Sequence, residues 1–301
     1  MSLIENSLEK LRRATASAKE PGAAPISHPT AVRAESLATL ERRPMHKRIA
    51  VDFDRLRDAG YLPEQGQERF FAQYCHRIKR PLVDQALGAG SAQDSRLILL
   101  SSALPGDGKT FIALSLAMSM ARERDISVLL VDGDLPKAQI TSVLDLRDES
   151  GLLDALKDDR LDVESLVLDT DVPNLEILPA GGPSEGAAEL VASARMRDIT
   201  TRLITRNPRR LVLLDSPPLL VSSEARALVP IPGQIVLVAR AGHTPRRAIA
   251  DAIAQVDKSK LRGLVLNDAR VGREHGYYDY YGSGEGVSNQ PDYHAIRHTA
   301  P

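Results

Sequence analysis

The feature that most constrains this 301-residue sequence is a glycine-containing stretch, Ser101-Ser102-Ala103-Leu104-Pro105-Gly106-Asp107-Gly108-Lys109-Thr110, set between two apolar runs. Leu97-Ile98-Leu99-Leu100 leads into it, and Phe111 to Ala121 follows. A strand, a tight loop and a helix that begins at a lysine give the layout of a phosphate-binding loop. Gly106 and Gly108 let successive N–H groups turn inward as a nest for an anion. Lys109 is placed to reach β- and γ-phosphates, and the Thr110 hydroxyl to ligate a bridging magnesium ion. Ala103 replaces the first glycine of G-x-x-x-x-G-K-[ST], a variant that a small residue permits. The bland alternative is a glycine turn whose lysine faces solvent.

From Arg96 onward the pattern alternates strand and helix. Strands are expected at 96–101, 127–132, 174–178, 210–215, 234–239 and 262–267, and helices at 109–122, 151–157, 195–206, 222–229 and 245–257. Runs such as Val128-Leu129-Leu130-Val131 and Leu211-Val212-Leu213-Leu214 are continuously apolar, as strands are when helices cover both faces. The expected fold is α/β: a doubly wound, mostly parallel sheet of P-loop NTPase type with helices on both faces. Upstream, Ile49-Ala50-Val51-Asp52-Phe53 reads as a short strand leading to Gly60, and 64–87 as a helix. Pro81 is expected to end or kink that helix near Arg80. Its basic residues Arg77, Lys79 and Arg80 suit either a contact between subunits or a solvated face.

Three strand ends carry the chemistry. One is the loop above. The second is Val131-Asp132-Gly133-Asp134 and the third Leu214-Asp215-Ser216-Pro217-Pro218. In a parallel sheet these ends share the carboxyl edge, where ligands bind, so Lys109, Asp132, Asp134 and Asp215 converge. Asp215 is assigned to magnesium, and Asp132 either shares the ion or accepts a proton from the attacking hydroxyl. The bland reading of each aspartate is a helix N-cap.

Formal charge is −1, from 39 basic and 40 acidic residues, which weighs against a dedicated nucleic-acid binder. The single cysteine, Cys75, excludes an internal disulfide and a cysteine-based metal site; it is expected to be a packed small hydrophobe in a reducing, cytoplasmic setting. No apolar run approaches the ~20 residues of a membrane-spanning helix. The expected organisation is a short amphipathic helix and flexible linker (1–45), one phosphate-loop domain (46–270) and a mobile tail (271–301). The helix would dock on a partner or membrane surface, or be a frayed terminus. Five of the seven tyrosines fall in the tail: Tyr277, Tyr278, Tyr280, Tyr281 and Tyr293.

Together, Pro105-Gly106-Asp107-Gly108-Lys109-Thr110, Asp132-Gly133-Asp134, Asp215-Ser216-Pro217-Pro218 and Tyr277-Tyr278-Asp279-Tyr280-Tyr281 resemble the bacterial protein-tyrosine kinases, autokinases of capsule and exopolysaccharide export. Arg77-Ile78-Lys79-Arg80-Pro81-Leu82, Gly151-Leu152-Leu153-Asp154, Leu178-Pro179-Ala180-Gly181 and Leu264-Val265-Leu266-Asn267 are similar to the soluble subfamily of exosortase-type loci. The resemblance covers about Ile49 to Tyr281. It implies a tyrosine autokinase that binds ATP and Mg2+ through Pro105 to Phe111, with catalytic Lys109, Asp132, Asp134 and Asp215 and metal ligands Thr110, Asp132 and Asp215. It also implies adenine contact by Asn267 and phosphorylation of the tail tyrosines by a neighbouring subunit in a ring. A membrane-bound chain-length co-polymerase would be the activating partner, recruiting a cytoplasmic protein to the inner membrane. Arg77 and Arg80 fit the family's E-x-x-R-x-x-R subunit contact, whereas Tyr74 stands at its glutamate. Lys137 takes the place of an arginine that often follows the second acidic motif.

Two rivals share these residues. A ParA/MinD-type ATPase carries a second lysine early in the loop, where this sequence has Leu104. A non-catalytic ATP-binding module of a polysaccharide exporter would use the same nucleotide contacts without phosphoryl transfer.

Overall fold

The computed structural model describes residues 46–182 and 186–269. The expectations for the helix at 2–16, the linker at 17–45 and Tyr277, Tyr278, Tyr280, Tyr281 and Tyr293 lie outside the described residues.

In chain order the elements are β1 (Arg48–Ile49), α1 (Phe53–Asp58), α2 (Glu68–Leu87), β2 (Leu97–Ser102), α3 (Lys109–Ala121) and β3 (Ser127–Asp132). There follow α4 (Gln139–Val143), α5 (Leu152–Lys157), β4 (Leu168–Thr170), β5 (Leu175–Leu178), α6 (Ala187–Ala192) and α7 (Ala194–Thr205). The last are β6 (Arg210–Asp215), α8 (Ser223–Leu228), β7 (Gln234–Arg240), α9 (Arg246–Ala254) and β8 (Leu261–Asn267). The eight strands form one sheet in the order β1-β4-β5-β3-β6-β2-β7-β8. The strand pairs are parallel except β4 with β5.

The continuous apolar runs divide by residue parity, because successive side chains of a strand point to opposite faces. Ile98, Leu100, Val128, Leu130, Leu211 and Leu213 pack on one side with α2 and α3 residues such as Leu82, Ile112 and Leu116. Leu97, Leu99, Leu129, Val131, Val212 and Leu214 pack on the other with Leu153, Leu156, Ile199 and Leu203 of α5 and α7. Each fully buried side chain of this size is worth ~1.5–3 kcal/mol. Helix α3 is buried almost throughout, so the residues behind Lys109 are anchored in the centre of the core.

Two local expectations are corrected. The strand at Ile49–Phe53 is only Arg48–Ile49. The Asp52 carboxylate accepts the Arg55 N–H at 2.9 Å and starts α1 at Phe53; this short polar cap outweighs a weak apolar alternation. Helix α2 begins at Glu68 and does not end at Arg80, but continues through Pro81 to Leu87. Proline removes one N–H donor, yet Leu82 and Ala86 beyond it are buried in the core, and the Leu82 carbonyl accepts from Gln234 Nε2 at 3.0 Å. Strand β4 and helices α4 and α6 are additional; each has six residues or fewer, too few to show a period.

Candidate nucleotide and catalytic site

The phosphate-binding loop leaves β2 and closes on itself. Asp107 is buried; its Oδ2 accepts the Leu104 N–H at 3.0 Å and its Oδ1 the Thr244 hydroxyl at 2.5 Å. Gly106 and Gly108 have φ of 82° and 88°, the left-handed region that glycine enters without steric cost. Gly108 also meets a neighbour: a Cβ there would lie 2.0 Å from Asn267 Nδ2. That amide donates to the Asp107 carbonyl at 3.1 Å. The loop is thus held by the segment after β7 and by the end of β8 as well as by its own strand.

The register Asp132↔Asp215 sets two carboxylates side by side at the ends of β3 and β6. Gly133 follows, and its N–H donates to the Asp215 carbonyl at 2.8 Å. A Cβ on Gly133 would come within 2.7 Å of that oxygen and of the Leu214 side chain, so only glycine lets the strand end turn this tightly. The turn brings Asp134 back to the loop, where its Oδ2 lies 2.7 Å from Lys109 Nζ. This is an ion pair by proximity, with both side chains almost fully buried. Thr110 Oγ1 donates to Asp215 Oδ2 at 2.7 Å and lies 3.2 Å from Gln139 Oε1. Asp132 Oδ2 accepts from both the N–H and the hydroxyl of Thr141 at 2.8 Å.

One oxygen of each strand-end carboxylate has no hydrogen-bond partner: Asp132 Oδ1 and Asp215 Oδ1, both buried. Burial lifts Asp215 to about 7, against the pull of Lys109 and with the help of Asp132. Burial also lifts Asp132 to about 6, partly offset by its two bonds from Thr141. Burial alone would lower Lys109, but Asp215, Asp134 and Asp132 outweigh it and raise its pKa, so it stays protonated. A buried ammonium ringed by three aspartates, two with an idle oxygen, is a site short of positive charge. An oxygen-preferring dication fits that donor set of hydroxyl and carboxylate.

A cavity of about 130 Å³ opens over the loop, lined by residues that include Gly106, Gly108, Lys109, Thr110, Phe111, Gln139 and Asn267. Lys137 lines it too. The sequence reading missed Tyr61 and Gly60, which close the cavity from the segment after α1, and Arg240, Asp268 and Gln139 on its rim. Tyr61 is raised in pKa, chiefly by burial and against the pull of Lys109. Its only sequence signal is an aromatic next to a glycine. Arg77 and Arg80 lie apart, exposed on α2, with Arg80 bound to Asp84 at 3.0 Å. Cys75 on the same helix is buried. Gly151-Leu152-Leu153-Asp154 and Leu178-Pro179-Ala180-Gly181 brace each other: the Leu152 and Leu153 N–H groups donate to the Pro179 and Ala180 carbonyls at 2.9 Å.

A glycine loop, a lysine and threonine at the start of the following helix, and three carboxylates on the carboxyl edge of a parallel sheet give the chain the layout of a P-loop nucleotide-binding protein. No protein-family model matches the chain. It is 30% identical over 189 residues to tyrosine-protein kinase YwqD of Bacillus subtilis, covering 62% of this chain and 77% of that one. It is 26% identical over 205 residues to the putative tyrosine-protein kinase CapB of Staphylococcus aureus, covering 67% and 88%. The succinoglycan biosynthesis transport protein ExoP of Rhizobium meliloti is 32% identical over 205 residues, but the match spans only 25% of that longer protein and 66% of this one. The VpsO kinase domain superposes with a TM-score of 0.57 at 26% identity, covering 69% of this chain and all of that one. The Escherichia coli ETK kinase domain shares the fold at the same TM-score and 21% identity, covering 68% and 80%. The chain belongs to the bacterial tyrosine-protein kinase family, and with it to the enzymes.

Proposed function

We propose that this protein is an ATP-dependent tyrosine autokinase whose acceptors are Tyr277, Tyr278, Tyr280, Tyr281 and Tyr293, and that it regulates polymerisation and export of an exopolysaccharide. The observation that carries the reading is the meeting of Lys109, Asp134, Thr110 and Asp215 across contacts of 2.7 Å. The loop N–H groups and Lys109 hold the triphosphate of ATP, and Asn267, on the cavity rim, contacts the adenine. Thr110 and Asp215 hold Mg2+, which when bound neutralises charge on the β- and γ-phosphates. Asp134 orients Lys109. Asp132 either shares the ion or takes the tyrosine proton. A carboxylate near 6 is mostly ionised at neutral pH yet more basic than an ordinary aspartate, a useful value for a base acting on a phenol. Asp132→Asn assayed across Mg2+ concentrations separates these roles: loss of a ligand is recovered by more Mg2+, whereas loss of a base lowers the rate at saturating Mg2+.

Arg77 and Arg80, both solvent-exposed, are proposed for contact with a second copy. Among the described residues no helix is long and apolar enough to cross a membrane; recruitment to the inner membrane through a polysaccharide co-polymerase completes the proposal. Leu104, partly buried against the core, holds an apolar side chain where a partitioning ATPase carries its second lysine.

The test incubates full-length protein and Lys109→Ala with Mg-ATP, with and without the cytoplasmic segment of the membrane partner, and maps phosphotyrosine by mass spectrometry. Tail phosphotyrosine in the wild type alone supports the proposal. ATP binding with no phosphotyrosine under either condition makes the protein a nucleotide-binding regulator instead.

A further inference from the structure

A second constellation lies at the β1–β4–β5 edge of the sheet. Asp169 and Glu176 are directly opposite in the antiparallel β4–β5 pair, a position where like charges destabilise a strand pair. Arg210 donates to Glu176 from Nε at 3.0 Å and Nη2 at 3.3 Å, and its Nη1 is shared with both oxygens of buried Glu164. One guanidinium therefore serves two buried carboxylates. The two thus share one cation, and uncompensated charge inside the protein is costly.

His46 completes the group. Its side chain is 6% exposed, and Nδ1 lies 3.5 Å from Asp169 Oδ1, too far for a firm hydrogen bond. Its Nε2 is buried with no partner. His46, Asp169 and Glu176 each bring one donor atom within 4.8 Å of the other two. Each Glu176 oxygen accepts a single bond from Arg210, so each keeps a lone pair, while the guanidinium fixes the carboxylate's orientation.

We propose that His46, Asp169 and Glu176 bind a divalent cation of zinc-like preference. One imidazole nitrogen with two carboxylate oxygens is a zinc donor set, with water in the remaining position. Such an ion would set positive charge between the opposed carboxylates and engage one nitrogen of the buried imidazole.

The placement also gives the ion a role. Strand β1 has two residues and is held to β4 by backbone bonds of 3.0 Å from Asp169 N–H to Lys47 and from Asp171 N–H to Ile49. The ion would fasten His46, two residues before the start of β1, to the body of the sheet. Beyond β1 the chain runs through α1 to Gly60 and Tyr61, which line the nucleotide cavity. The ion is thus a latch on the segment that closes that cavity.

The test uses the full chain, stripped with chelator and kept free of Mg2+. Zn2+ is titrated calorimetrically and Co2+ spectroscopically, in wild type, His46→Ala, Asp169→Asn and Asp215→Asn. An ion retained in Asp215→Asn and weakened at least about tenfold in His46→Ala and Asp169→Asn supports the site, as does a Zn2+-dependent rise in Tm that Asp215→Asn keeps and the edge variants reduce. No bound ion, unchanged affinity in both edge variants, or loss of the ion in Asp215→Asn overturns it. Asp169 is half-exposed, so its variant carries the test should His46→Ala fail to fold.

Discussion

Gly108→Ala probes how the phosphate-binding loop is held. Gly108 sits at φ 88°, where a side chain costs ~1–2 kcal/mol. The new methyl would lie 2.0 Å from Asn267 Nδ2, so that amide must swing away and give up its bond to the Asp107 carbonyl, worth ~0.5–1.5 kcal/mol net. The expected loss is roughly 2–3 kcal/mol, or roughly 5–10 °C in Tm for a domain of this size. Urea denaturation of nucleotide-free protein measures it, with Asn267→Ala and the double variant completing a cycle. Because both single changes break the same hydrogen bond, the double variant should cost about 1 kcal/mol less than their sum. Costs that add to within ~0.5 kcal/mol would refute the reasoning, since the clash would then carry no energy.

Asp215 has a folded pKa of about 7, well above that of an unfolded aspartate. Its contribution is therefore fully present below pH ~4 and lost as pH rises toward 7, up to about 4 kcal/mol. In Mg2+-free buffer, Asp215→Asn should gain Tm on the wild type between these limits and hold the gain above them; a pH-independent difference would contradict this. Cys75, pushed up to about 12 by burial, should resist iodoacetamide at pH 8, where about one thiol in ten thousand is ionised, and react fully in denaturant. Arg210→Met leaves Glu164 and Glu176 buried without their counterion and should cost about 3–5 kcal/mol in urea denaturation.

The strands of the central sheet were legible because burial on both faces leaves nothing but apolar residues between the turns. The sequence expectations for β2, β3, β5, β6, β7 and β8 lie within one or two residues of the observed spans. The reactive groups were legible for a related reason. A lysine after two glycines and aspartates at the ends of apolar runs are signals that survive without knowledge of neighbours. The short elements were not, because five residues of α4 or three of β4 carry no period. That α2 runs on past Pro81 instead of ending there is decided by the buried residues and the Gln234 bond beyond it, which involve distant chain.

By itself, then, the sequence determined the alternating α/β plan, the anion-binding loop and the identity of the charged groups on one sheet edge. Tertiary structure alone decided their pairing: Lys109 with Asp134, Thr110 with Asp215, Asp132 with Thr141. It also brought Tyr61 to the cavity and set His46 beside Asp169 and Glu176. The reason is range. Backbone patterning is read over a few residues, but a hydrogen bond or ion pair depends on register and side-chain direction across strands that lie far apart in the chain.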